Sequence, residues 1–164
     1  MGLIERKIEK LTRVALEEVE YILRKVNIHV HSSPDNDPSP IKTMAGGSVA
    51  NTIRGLSSGF GISSGIIGAC GDGEQGELFV HSMNSNGVDL SRLKKKVGHT
   101  AQCVCLVDAF GNRTMRPCLS SAANVQAEEL TKEDFKGSKP DVVLVQPHHY
   151  DPDPHRNCRL MQLQ

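Results

Sequence analysis

Apolar positions in this chain follow two different periods. From residue 3 to 26, Ile4, Ile8, Leu11, Ala15, Val19, Ile22 and Val26 recur at three- and four-residue steps, with Glu, Lys and Arg between them. That spacing predicts one charged amphipathic helix over 3–26. Val26 to His31 alternates and predicts a short strand, with His29 and His31 on one face. Residues 32–40 are polar and proline-rich, a linker that can be neither helix nor central strand.

From Ile41 the pattern alternates between strand and helix. Strands are expected at 41–44 and 62–70, and helices at 48–56 and 77–83, the second closed by Asn86-Gly87. Residues 101–108 and 113–119 flank a Phe-Gly-Asn turn and read as a β-hairpin. A helix at 128–135 and a buried strand at 142–145 follow, and 147–164 reads as an irregular tail. Strands alternating with helices predict an α/β domain over 41–146, a sheet covered by helices on both faces.

Composition narrows the functional classes. The chain has 164 residues, and nineteen basic residues balance nineteen acidic ones, so net charge points to neither nucleic acid nor an anionic membrane. Its one basic cluster, Arg92 with Lys94, Lys95 and Lys96, reads as a solvated loop, with a phosphate-binding patch as the alternative. No apolar run reaches the roughly 20 residues of a membrane span, and the N-terminus lacks a signal peptide's apolar middle. Five cysteines, an odd number, are expected to be buried free thiols in a reducing cytoplasm.

Candidate chemistry concentrates in Met44-Ala-Gly-Gly-Ser-Val-Ala-Asn-Thr52. Gly46 and Gly47 let a ligand approach the backbone. A helix starting at Ser48 leaves its first amides without internal partners. Asn51 carries both a donor and an acceptor, which suits a vicinal diol. A tight turn capped by Ser48 is the alternative. Gly71-Asp-Gly-Glu-Gln-Gly76 matches G-x-G-x-x-G between a strand and a helix. Asp72 and Glu74 would repel a pyrophosphate there, so a structural turn is favoured over a dinucleotide site. Cys103 and Cys105 share one strand face, but the further donors His148, His149, His155 and Cys158 fit no regular zinc spacing, and no metal site is expected. No P-loop motif is present.

Taken together, Gly46-Gly-Ser-Val-Ala-Asn51, Ile67-Gly-Ala-Cys-Gly-Asp72 with Gly76, Asn86-Gly-Val-Asp89, and 100–108 with Gly111-Asn-Arg-Thr114 resemble the N-terminal half of PfkB-type carbohydrate kinases. This ribokinase family includes adenosine kinase and fructokinase, and the Gly-Gly-Ser form is most similar to its nucleoside-kinase branch. The resemblance implies a ribokinase-like three-layer α/β sandwich with a β-hairpin near a substrate lid. It implies transfer of the γ-phosphoryl of Mg-ATP to a hydroxymethyl group. It implies that Gly46, Gly47, Ser48 and Asn51 contact the hydroxyls of a sugar or nucleoside.

Two departures accompany the likeness. The family's first strand carries a substrate-binding Asp, whereas here a charged helix stands in its place, and Asp35 and Asp37 lie in the linker. The family's D-T-x-G-A-G-D motif, source of the anion hole and general base, is not in the sequence. The expectation is therefore a truncated, inactive substrate-binding half, with no catalytic residue of its own and with Mg-ATP belonging to the complete protein. A cytoplasmic setting is expected, with a homodimer through the lid or the N-terminal helix left open. A non-catalytic interaction module is the alternative, followed by a dinucleotide-binding domain.

Overall fold

The computed structural model describes residues 10–11, 14–31, 41–120, 125–135, 142–145 and 159–162. Side chains are described for 14–26, 41–120, 125–126 and 128–135. The linker at 32–40, with Asp35 and Asp37, and the stretch at 146–158, with three histidines and Cys158, lie outside these residues.

Strand β1 (Lys10–Leu11) precedes helix α1 (Leu16–His31). Next come α2 (Ser48–Phe60), β2 (Gly65–Gly71), α3 (Glu74–Asn84) and β3 (Asp89–Lys96). Strands β4 (Gln102–Val107) and β5 (Arg113–Cys118) form the hairpin. Two single-turn 3-10 helices (Ala127–Glu129 and Lys132–Asp134) lead to β6 (Val142–Val145) and β7 (Arg159–Gln162).

The unit β2–α3–β3 is a parallel pair joined by a helical crossover, the connection that parallel strands require. Above it lies one apolar cluster. Ala45 and Ala50 from the start of α2 meet Met83 from α3 and Val88, with Ile53, Ile66, Phe79 and Leu90 packed around them. Met83 is fully buried, at 0 % exposure. The hairpin forms a separate layer, in which β5 is flanked by β4 and β1 and contacts α1. Its turn is assembled by Asp108, whose carboxylate accepts the Phe110 and Asn112 amides, each at 2.9 Å.

Several expectations are corrected. The helix over 3–26 does not begin where periodicity puts it. Lys10 and Leu11 instead pair in parallel with Thr114 and Met115, and the Val14 amide donates to the Pro117 carbonyl at 3.0 Å. The outer edge of β5 offers unpaired backbone groups, and an extended segment satisfies them where a helix would not. The helix then continues through Val26–His31, where a strand is expected, because propagating a helix already nucleated costs less than starting a new element. Its apolar stripe is used inside the chain, with Val19 only 1 % exposed.

Residues 41–44 are not a strand and have no ladder partner among the described residues. The basic cluster is not a loop. It is strand β3, paired with β2 from Gly65↔Asp89 to Gly71↔Lys96. Lysine is a poor strand former, but here each lysine has a partner. Lys95 meets Glu77 at 2.5 Å, Lys96 meets the Glu129 carboxylate at 2.5 Å, and Lys94 donates to the Glu129 carbonyl at 2.6 Å. The helix expected at 128–135 is two 3-10 turns. Part of the tail is ordered as β7, antiparallel to β6.

Glu129 thus ties the 3-10 turns to β3. The Lys96 ammonium, then the Gln126 amide, hold its carboxyl below the ordinary glutamate value. A depressed value means that this tether is complete above the unfolded-state value and is lost as pH falls through the folded one. We expect Lys96→Met to raise the Glu129 midpoint in an NMR carboxylate titration; an unchanged midpoint would show that the contact does not hold the proton off.

Candidate functional site

The residues singled out from sequence lie together at the start of α2. Gly47 is the N-cap, with φ 108° and ψ 143°. That backbone is strained for any residue with a Cβ, so glycine is required by conformation. The helix's first backbone bond runs from the Asn51 amide to the Gly47 carbonyl at 2.9 Å, and no side chain caps the turn. The amides of Ser48, Val49 and Ala50 therefore precede the internal ladder. Gly46, Gly47, Ser48 and Asn51 are all exposed, and a Cβ built on either glycine would meet nothing within 4 Å. Ser48 is the first helical residue and does not cap.

Asn51 sits one turn in. Its side-chain oxygen accepts from the Arg54 guanidinium at 3.3 Å, so Arg54 orients the amide. Sequence reading missed this contact, although the i, i+3 spacing of Asn51 and Arg54 on a helix signals it. What the arrangement offers chemically is three amides outside the helix ladder beside two exposed glycines, with an oriented carboxamide one turn on. That suits neutral oxygens such as hydroxyls.

The second glycine-rich turn has a different role. The Gly71 amide donates to Thr100 Oγ1 at 2.8 Å, and the Gly98 amide donates to the Asp72 carboxylate at 3.0 Å. A Cβ on Gly71 would collide with the Gly98 carbonyl oxygen, and one on Gly76 with the Gly71 carbonyl oxygen. Residues 98–100 pack directly against this turn and tie β2 to the segment after β3, contacts that give it a structural role.

A groove of about 330 Å³ lies nearby, between α1 (Leu16, Val19, Leu23), the first turn of α3, and Thr100 and Gln102. None of the four residues singled out from sequence lines it. The four described cysteines divide two and two: Cys70 and Cys118 are buried as expected, whereas Cys103 and Cys105 are exposed, and all four are free thiols. Burial pushes the Cys70 and Cys118 thiols up. Among the described residues no helix is long and apolar enough to cross a membrane.

Comparison with known proteins places this geometry. The sequence profile of the pfkB family carbohydrate kinases matches residues 14–164. This chain belongs to the pfkB family. The match includes α1, so the helix in front of the glycine pair is part of the family domain. The fold is ribokinase-like α/β, as three solved structures show. Adenosine kinase from Sinorhizobium meliloti superposes with a TM-score of 0.58 at 20 % identity, covering 77 % of this chain and 35 % of that one. Fructokinase from Xylella fastidiosa gives 0.53 at 22 % identity, over 63 % of this chain and 32 % of that one. Anopheles gambiae adenosine kinase, solved in complex with P1,P4-di(adenosine-5) tetraphosphate, gives 0.53 at 17 % identity, over 80 % and 35 %. This chain therefore spans about a third of the length of these pfkB-fold kinases. No curated protein matches the sequence.

Proposed function

We propose that this chain is the substrate-binding part of an ATP-dependent sugar or nucleoside kinase, and that it has no phosphoryl-transfer activity by itself. The observation that carries the reading is the open start of α2. Three amides beyond the reach of the helix ladder follow Gly46 and Gly47, and Asn51 stands beside them. These groups bind and orient ring hydroxyls so that a hydroxymethyl group is presented for transfer. Positioning and charge stabilisation are what phosphoryl transfer needs from a protein, and this chain supplies only the first.

Mg-ATP would provide the transferred phosphoryl group in the complete enzyme. The second glycine-rich turn is not the place for it. That turn is bound to residues 98–100 and carries Asp72 and Glu74, whose charge opposes a polyphosphate. We assign no nucleotide contact to this chain. The setting proposed is cytoplasmic, in keeping with four free thiols.

Two measurements test the reading. Incubation with Mg-ATP and adenosine, ribose or fructose should release no ADP above a blank, and clear turnover would overturn the inactive assignment. Ligand-observed NMR should detect one of those three compounds on the wild-type chain. Gly47→Ala, which forces the helix start out of its left-handed backbone angle, should weaken that signal by about tenfold. Binding of none of the three, or equal binding by Gly47→Ala, would remove the basis for the site.

A further inference from the structure

The outward face of the β4–β5 hairpin gathers sulfur. Cys103 and Cys105 alternate along β4, and both are exposed. Across the ladder Cys103 opposes Pro117, and Cys105 opposes Met115. Opposed residues of an antiparallel pair place their side chains on the same face, so Met115 joins the two cysteines. The opposite face of the hairpin carries Cys118, which is buried.

The ladder also fixes how close these groups come. Proline has no N–H to give, and the Pro117 carbonyl is turned away from β4, accepting the Val14 amide at 3.0 Å. Cys103 and Pro117 therefore occupy a non-hydrogen-bonded position. Hydrogen-bonded and non-hydrogen-bonded positions alternate, so Cys105 and Met115 occupy another. At such positions opposing Cα atoms approach to about 4.5 Å, closer than at hydrogen-bonded ones. Two thiols two residues apart and a thioether directly across thus share one small area.

This donor set is unusual in its softness. Among the described residues no three His, Cys, Asp or Glu side chains group around a possible metal position. The third donor here is methionine, which lies ten residues along the chain from Cys105 and is brought beside it only by the hairpin. Thiolate and thioether sulfur select soft cations, Cu(I) above all, whereas a structural zinc site takes four Cys or His donors. We propose that Cys103, Cys105 and Met115 form a binding site for a soft monovalent cation of the Cu(I) type.

Binding is a ligand substitution without electron transfer. Two S–H bonds break and their protons pass to solvent, two copper–thiolate bonds form, and the Met115 sulfur adds its lone pair. The metal stays Cu(I) throughout. Burial, with a smaller contribution from neighbouring Cys105, pushes the Cys103 thiol up, so the metal must displace a proton that the free protein holds.

The test uses the full, reduced 164-residue chain under anaerobic conditions, titrated with Cu(I) against bathocuproine disulfonate as competing chelator. One Cu(I) should be retained per chain. Cys103→Ser and Cys105→Ser should each weaken retention by about a hundredfold, and Met115→Leu by about tenfold, while Cys158→Ser leaves it unchanged. Circular dichroism should show that each variant keeps its fold. X-ray absorption on the wild-type complex, which needs no variant, should find three sulfur donors. Retention that survives loss of Cys103 and Cys105 would overturn the proposal. So would dependence on Cys158, a two-sulfur shell, or preferential uptake of Zn(II).

Discussion

Replacing Gly76 by alanine should destabilise the chain by about 3 kcal/mol, although alanine is the better helix former. Gly76 lies in the first turn of α3, where propensity alone would reward the change by up to ~1 kcal/mol. Geometry reverses the sign. The new Cβ would land on the Gly71 carbonyl oxygen, 2.9 Å from the carbonyl carbon and 3.0 Å from Thr100 Oγ1. Two of these three obstacles are backbone atoms of β2, which cannot swing aside as a side-chain tip would. Helix α3 must retreat from the strand, and the Gly71–Thr100 hydrogen bond goes with it. Gly73→Ala is the matched control, because a Cβ there meets nothing within 4 Å and its φ of −87° suits any residue. That change should be neutral or slightly stabilising. Urea unfolding separates the two, and a Gly76→Ala midpoint at or above wild type would show that the packing is looser than described.

Met83→Ala should cost about 2–5 kcal/mol, a large share of what a domain of this size has to spare. Met83 is completely buried, and it joins Ala45 and Ala50 to Val88 in one cluster. The two alanines bracket the Gly46-Gly47 turn, so a cavity at Met83 removes the support behind the candidate substrate site. Stability and binding should fall together. Met83→Leu keeps the volume and should stay within about 1.5 kcal/mol of wild type. If Met83→Ala melts as the wild type does, the cluster is not what holds α2 against α3.

What could be read from the residues, and what could not, divides by the distance over which the decisive contact acts. The hairpin is announced by local alternation and by Asp108 and Gly111 in its turn, and the structure places β4 and β5 within a residue or two of the expected limits. Helix α3 and the start of α2 at Ser48 follow from glycine positions and apolar spacing, again local signals. Three of the errors occur where the partner is remote. Leu11 fits a helical stripe until Met115 offers it a sheet edge. Lys94, Lys95 and Lys96 read as loop until β2 supplies the ladder and Glu77 and Glu129 supply the charges. Arg159–Gln162 has no visible pattern, but pairs with Val142–Val145.

The candidate site shows the same division. The helix start, the two glycines and Asn51 are legible together because they fall within six residues. The exposure of Cys103 and Cys105 is not, since burial of one hairpin face depends on where α1 comes to rest. The neighbour of Cys105 across the ladder is invisible without the register.

Strand β1 has a consequence for how the protein is handled. It shields only Thr114 and Met115, and a shortened version starting at α1 would leave that flank of the hairpin bare. Copies could then zip together side by side, so such a version should form concentration-dependent multimers on a sizing column. Lys10 and Leu11 would thus serve as a bumper along that flank.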